Sequence, residues 1–346
     1  MRAVKIIADT HTEDMLVRVA WEYYVNNRDQ GEIAKYWGVS RPTVSRMLSK
    51  ARELGIVQIS IKSRLLSILP VEHALRKSFG LKWVGVVPAT ERREIAIDAM
   101  ARLAASYLDA HLAQYTIIGV GWGSTISHVK QFISRDVKTR PGARFVEMLG
   151  SFSSEGSHLQ AYRVALALGE TYGVPVSLLN VPAMTSDVEA RNQFLREPQI
   201  AEVLELGRRA EFALVSVGSA DHESTMYRLG YIHEGHLEEL VRKHAVGDML
   251  ARYFDINGNP VGGSLDDHII SLSLDDLRRI PNVMTMALGE NKVEALIGGI
   301  RSNIITHLVT DEPTAVRLLR RAGFNSSPSD RASEGLGENE AKGDRK

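Results

Sequence analysis

The sequence predicts an α/β chain in two parts: a small amino-terminal helix-turn-helix, then a larger domain on a mostly parallel sheet. Three observations predict this. At 346 residues the chain is too long for one small domain and fits two. The run QGEIAKYWGVSRPTVSRMLSKARELGIVQISIK, Gln30 to Lys62, has the layout of two helices joined by a sharp turn. After about Lys82, short apolar runs rich in β-formers alternate with helical patterns, as crossover helices between parallel strands require.

Taken in order, Met1 to Thr12 is polar and mixed and reads as a loose arm. Asp14 to Val25, with Met15, Val17, Val19, Trp21 and Tyr24, reads as a first helix. A short helix follows from Glu32 to Tyr36, with the small Ala34 where another helix must approach. Gly38 sits at the turn, where glycine reaches positive φ without steric cost. Ser40 is a natural N-cap, and Pro42 is tolerated in a first helical turn. Val44, Met47, Leu48 and Ala51 recur at i, i+3, i+4 and i+7 as one apolar face, which Leu54 continues and Gly55 ends. The polar side carries Ser40, Arg41, Thr43, Ser45, Arg46 and Lys50. In a helix-turn-helix the amino-terminal part of the second helix meets base edges in the major groove, so these six are the candidate contacts to double-stranded DNA. Arginine bridges guanine bidentately, while serine and threonine meet bases or phosphates. Between Ser40 and Arg64 stand Arg41, Arg46, Lys50, Arg52, Lys62 and Arg64 against the single acid Glu53. The whole chain balances 42 basic against 42 acidic residues, so the basic excess is local and suits a phosphate backbone. Ile56 to Ile61 is strand-like and would form a wing. The plain alternative is a solvated helical hairpin with ordinary surface charge.

Composition excludes several classes. With 44% apolar residues the chain can bury a sizeable core. There is no cysteine, hence no disulfide framework, thiol chemistry or cysteine-based zinc site. Eleven histidines are scattered without a His-x-x-x-His or His-Glu-x-x-His spacing, so no metal site is expected. No Gly-x-Ser-x-Gly elbow argues for a serine hydrolase. No charged-then-apolar leader opens the chain, and no apolar run approaches the ~18 residues of a membrane span. The expectation is a soluble cytoplasmic protein that carries no cofactor.

Ser63 to Phe79 is a helical pattern broken at Pro70 and reads as a connector and assembly helix. Strands are expected at Trp83–Val87, Thr116–Val120, Arg144–Leu149, Val176–Val181, Phe212–Val217, Ile269–Ser271, Val283–Ala287 and Ile305–Val309. Helices are expected at Arg92–His111, Ser124–Ile133, Leu159–Tyr172, Asp187–Arg196, Gln199–Arg209, Leu237–Lys243, Lys292–Gly299 and Glu312–Ala322. Asn325 to Lys346 has almost nothing to bury and reads as disordered. The expected domains are therefore 1–62, a linker over 63–81, a sheet domain over 82–323, and a tail over 324–346.

In the sheet domain the sharpest motif is YTIIGVGWGST, Tyr115 to Thr125. A strand runs into Gly119, Gly121 and Gly123, and Ser124-Thr125 opens a helix. Small residues let amides approach an anion, the helix start adds its positive end, and two hydroxyls donate. The loop is neither a Walker A motif nor G-x-G-x-x-G, and a tight turn without ligand is the equal alternative. Lys292, after the strand ending near Gly289, either reaches an anion at a neighbouring strand end or is a solvated lysine. Asp248 either accepts from sugar hydroxyls or caps a helix. Gly218 and Ser219 repeat the strand-then-small-residue pattern and are placed at a pocket rim.

The order of these pieces is more specific than any one of them. A helix-turn-helix, then IGVGWGST, VGDMLARYFD and LGENKVEALIGGIRSNIITHLVTDEPTA, resembles the SorC/DeoR-type sugar-binding transcriptional regulators of bacteria over roughly Asp14 to Gly323. The resemblance implies a winged helix-turn-helix joined to a Rossmann-like, three-layer effector domain of sugar-phosphate-isomerase type that has lost enzymatic function. It implies homodimers or homotetramers that bind operator DNA and a sugar, polyol or sugar-phosphate effector. On that resemblance Gly121, Gly123, Ser124 and Thr125 match the phosphate loop, Lys292 the phosphate lysine, and Asp248 the acid that meets sugar hydroxyls. Trp122 between the glycines departs from relatives that carry Gly-Gly-Thr-Thr. Arg163 and Arg228 are the candidate arginines for the effector, with an ordinary surface role as the favoured alternative for each. An active sugar-phosphate isomerase fused to a DNA-binding domain, with Asp248 as base, is the rival reading.

Overall fold

The computed structural model describes residues 2–58, 68–152 and 160–323. The chain divides into two compact units, Met1–Arg64 and Leu65–Lys346. In the first, α1 (Arg2–Tyr24), α2 (Gln30–Trp37) and α3 (Arg41–Glu53) enclose Leu16, Val19, Ala20, Ile33, Ala34, Val44, Leu48 and Ala51. Here α1 reaches back to Arg2, where the sequence suggested an arm. A capping box, missed in the sequence, starts α2 two residues earlier than expected. Asp29 accepts from the amides of Gly31 and Glu32, and the Glu32 carboxylate accepts from the Asp29 amide. Gly38 takes the left-handed conformation (φ 66°) that sets the angle between α2 and α3. Leu54 does not extend the apolar face; it is the C-cap and 55% exposed. Ile56 to Gln58 form no strand, and the rest of the expected wing lies outside the described residues, as does the expected tail.

The second unit begins with α4 (Leu69–Phe79), whose Pro70 lies in its first turn and does not interrupt it. Glu72 of α4 accepts the Val86 amide, and Val71 and Leu75 are buried in the sheet core, so this helix belongs to the α/β unit. The strands β1 (Trp83–Val87), β2 (Ile117–Val120), β3 (Arg144–Glu147), β4 (Val176–Ser177), β5 (Phe212–Ser216), β9 (Asn282–Met286) and β10 (His307–Asp311) form one parallel sheet. Its order is β1-β10-β9-β5-β2-β3-β4. Side chains alternate between two apolar layers. Val84, Val86, Val146, Val215, Val283 and Leu308 face one side. Val87, Ile118, Phe145, Phe212, Leu214 and Val309 face the other, with α5 (Arg93–His111) and α6 (Ala161–Tyr172). Near-continuous apolar strands are what a sheet covered on both faces needs.

From β2 the chain moves outward to β3 and β4, then returns to β5 on the opposite side of β2. The gap between β2 and β5 is thus the topological switch point, where such sheets open a crevice at their carboxyl ends. A second, antiparallel sheet of β6 (Gly218–Ser219), β7 (Ala245–Met249) and β8 (Arg252–Asp255) stands beside it. This hairpin was not read from the sequence. Conversely, the expected strand Ile269–Ser271 forms only isolated bridges, to Met184 and Leu149. The expected helix Ser124–Ile133 is a single 3₁₀ segment, Ile126–Gln131.

Candidate binding sites

On α3 the six sequence-predicted residues share the side turned from the core. Ser40, Arg41, Ser45, Arg46 and Lys50 are exposed and Thr43 is half-buried. The Ser40 hydroxyl accepts the Thr43 amide at 3.3 Å and lies 2.8 Å from the Thr43 hydroxyl, so both hydroxyls are engaged in the cap. Lys50 lies 3.6 Å from Glu53. Arg41 and Arg46 make no ion pair among the described residues. They are the uncommitted charges of this face.

In the α/β unit a narrow recess lies at the carboxyl ends of β2, β5 and β9. Its lining brings together Gly123, Ser124 and Thr125 after β2, Gly218 after β5, Asp248 of β7, and Lys292. These residues come from four distant stretches of sequence. Two glycines make the close approaches possible. A Cβ at Gly123 (φ 146°) would fall 2.2 Å from the Ser216 hydroxyl, and one at Gly218 would fall 1.8 Å from Asp248 Oδ1.

The predicted loop is only partly as expected. Gly121 does not line the recess: its amide donates to Leu214 O at 2.9 Å, within the continuation of the sheet. Thr125 donates its hydroxyl to Met286 O at 3.0 Å, so Ser216, 3.0 Å away, must donate to Thr125. That pair ties three strand ends together and leaves the Thr125 proton no other partner. Ser124 is exposed, and its hydroxyl has no partner among the described residues. The amides of Gly123, Ser124 and Thr125 have no backbone acceptor among the described residues. A 3₁₀ turn of this length contributes little dipole, so an anion here would depend on these amides directly.

Asp248 is not a helix cap. It sits in β7, paired with Gly218, and its Oδ2 accepts the Ala251 amide at 3.1 Å across the turn to β8. Leu250 (φ 53°) and Ala251 (φ 62°) adopt the left-handed geometry of that turn. Burial pushes the Asp248 carboxyl up to about 6, against the opposing pull of Lys292 and the Ala251 amide. Lys292 is lowered by burial and supported by the carboxylates of Asp248 and Asp221. Its Nζ donates to Ser219 Oγ at 3.3 Å, and Ser219 donates to Asp221 at 2.7 Å. Ser219 thus stands behind the recess and not on its wall.

Trp122 also lines the recess, with its ring 4.4 Å from that of Phe152. Neither Arg163 nor Arg228 lines it. The arginine that does is Arg93, at the start of α5, which sequence reasoning missed. The run Glu91-Arg92-Arg93-Glu94 looks like an ordinary charged helix start, and no local signal distinguishes one arginine there.

Residues 63–320 match the model of the Sugar-bind family, a sugar-binding domain. The chain belongs to the SorC/DeoR-type sugar-binding transcriptional regulators. The deoxyribonucleoside regulator of Bacillus subtilis is 28% identical over 90% of this chain and 99% of its own length. The transcriptional regulator LsrR of an Enterobacter species is 30% identical over 90% of this chain and 94% of its own. Among solved structures, the full-length sorbitol operon regulator SorC of Klebsiella pneumoniae superposes with a TM-score of 0.69 at 26% identity, covering 88% of this chain and 98% of SorC. This SorC-type chain is a sugar-binding transcriptional regulator and not an enzyme, and nothing in these relatives favours the isomerase reading. No helix among its described residues is long and apolar enough to cross a membrane.

Proposed function

We propose that this regulator controls a carbohydrate or polyol catabolic operon, and that a small sugar, polyol or sugar phosphate bound in the recess sets its affinity for operator DNA. The observation that carries the reading is the convergence of Gly123–Thr125, Gly218, Asp248 and Lys292 on one recess at the switch point. Amides without acceptors suit the anionic end of such a ligand. A buried carboxylate beside a half-buried ammonium suits its hydroxyls, since the two together accept and donate.

In this reading residues 1–62 read DNA through Arg41, Arg46, Ser45 and Lys50, with Ser40 and Thr43 shaping the helix start. The stretch 63–81 joins the reading unit to the effector unit, and its helix α4 is already packed into the effector unit's core. The protein works in the cytoplasm as a homodimer or homotetramer, because two recognition helices match two operator half-sites. The effector must bind the DNA-competent and DNA-incompetent assemblies unequally, otherwise it regulates nothing.

The test is a mobility-shift titration of the full-length protein on DNA flanking its own coding sequence, with a panel of sugars, polyols and their phosphates. The expected result is a shift that one panel member weakens or strengthens at least tenfold. Lys292→Ala should abolish that response while leaving ligand-free DNA binding intact. A protein that shifts no fragment under any condition would overturn the reading.

A further inference from the structure

We infer that Arg93 is the anion contact of the recess, holding a phosphate ester of the effector against the amides of Gly123, Ser124 and Thr125. The inference rests on the functional reading above and deepens it, since it names the residue that selects for the charged group.

Two cations line the recess, Arg93 and Lys292. Their surroundings differ. The charge of Lys292 is already matched by Asp248 and Asp221, and its Nζ donates to Ser219. Arg93 has no carboxylate partner among the described residues, although it opens α5 beside Glu94 and follows Glu91. Its guanidinium reaches the loop after β9, where a Cβ added to Gly289 would lie 3.6 Å from an Arg93 Nη. From there it repels the Lys292 ammonium. One cation without a carboxylate partner among the described residues and a run of amides without acceptors, on the wall of one recess, together suit an anion. A phosphate supplies several acceptor oxygens, and a guanidinium binds two of them in one plane, which an ammonium cannot do. Asp248 and Lys292 then remain as a balanced pair for neutral hydroxyls, so charge selection falls to Arg93.

The experiment titrates the full-length protein with inorganic phosphate, reading thermal midpoint and ³¹P line width. A panel of unphosphorylated sugars and polyols runs in parallel. The expected result is saturable phosphate binding that Arg93→Ala and Arg93→Gln weaken roughly tenfold, the usual scale for a lost charge-assisted pair. Arg93→Lys should keep part of it, and Arg163→Ala, outside the recess, all of it. Because Arg93 is exposed, the variants should retain the wild-type circular dichroism spectrum, and Arg93→Lys serves as the check if Arg93→Ala does not. Equal phosphate affinity in wild type and Arg93→Ala overturns the inference. So does a wild type that ignores phosphate but binds a neutral sugar, which leaves the sugar-responsive reading standing. A protein that binds neither phosphate nor any sugar counts against both.

Discussion

At the scale of single residues, two buried titratable groups set opposite pH limits on the α/β unit. Glu147 ends β3 almost fully buried; its Oε2 accepts the Leu179 amide at 2.9 Å, and Oε1 has no partner among the described residues. Burial pushes its carboxyl up to about 7 from 4.5. Its folded value lies above its unfolded one, so its contribution is complete below pH 4.5 and is lost as pH rises through 7. The loss is on the order of 3 kcal/mol at most. Glu147→Gln should therefore remove most of the fall in stability between pH 5 and pH 8, measured by urea unfolding; a variant with the wild-type pH slope would exclude Glu147 as its source. His307 works in the other direction. It is buried between the Tyr107 hydroxyl at 2.8 Å and the Thr306 hydroxyl at 2.9 Å, and burial depresses it to about 4. A depressed histidine withholds a proton that the unfolded chain takes up, so stability should decline as pH falls from 6.5 towards 4. On α3, Arg46→Ala should weaken operator binding and lower the salt slope by about one if Arg46 meets a phosphate. Unchanged DNA affinity would mean that another face of α3 enters the groove.

At the scale of elements, the recess depends on backbone approach more than on side chains. Gly218 lets β6 lie against the Asp248 carboxylate, and Gly247 lets β7 lie against Ala295 of the helix Val293–Arg301. Gly218→Ala should therefore displace Asp248, lowering effector affinity at least tenfold and stability by about 1–3 kcal/mol. Calorimetry with intact affinity would show that Asp248 does not touch the ligand. The hairpin β7–β8 was unreadable in the sequence because its turn uses Leu250 and Ala251 in left-handed geometry, where turn chemistry leads one to expect glycine or asparagine. The Asp248 carboxylate stabilises that turn by accepting the Ala251 amide, a contact visible only once the strands are paired.

At the scale of the whole molecule, two units with separate cores should unfold in two steps. The effector should raise only the transition of the α/β unit, by the mass action of a ligand that binds that unit alone. Scanning calorimetry with and without the effector checks this. An equal rise in both transitions would mean that the ligand couples the units more tightly than separate cores imply.

Sequence alone determined the helix-turn-helix, since its Ser40 cap, turn glycine and apolar spacing are local, and the parallel α/β class, since apolar strand runs need cover on both faces. It also singled out the loop after β2, Asp248 and Lys292 as candidate site residues, and the last two line the same recess as Gly123, Ser124 and Thr125. Only the tertiary structure decided which residues share the recess. Gly121 and the Thr125 hydroxyl were withdrawn from it by hydrogen bonds to strands nearly a hundred or more residues away. Arg93 was added to it by the placement of α5 beside the end of β9. Local patterns encode what a residue prefers of its neighbours in sequence, whereas occupancy of a pocket depends on which distant donors and acceptors the folded chain has already paired.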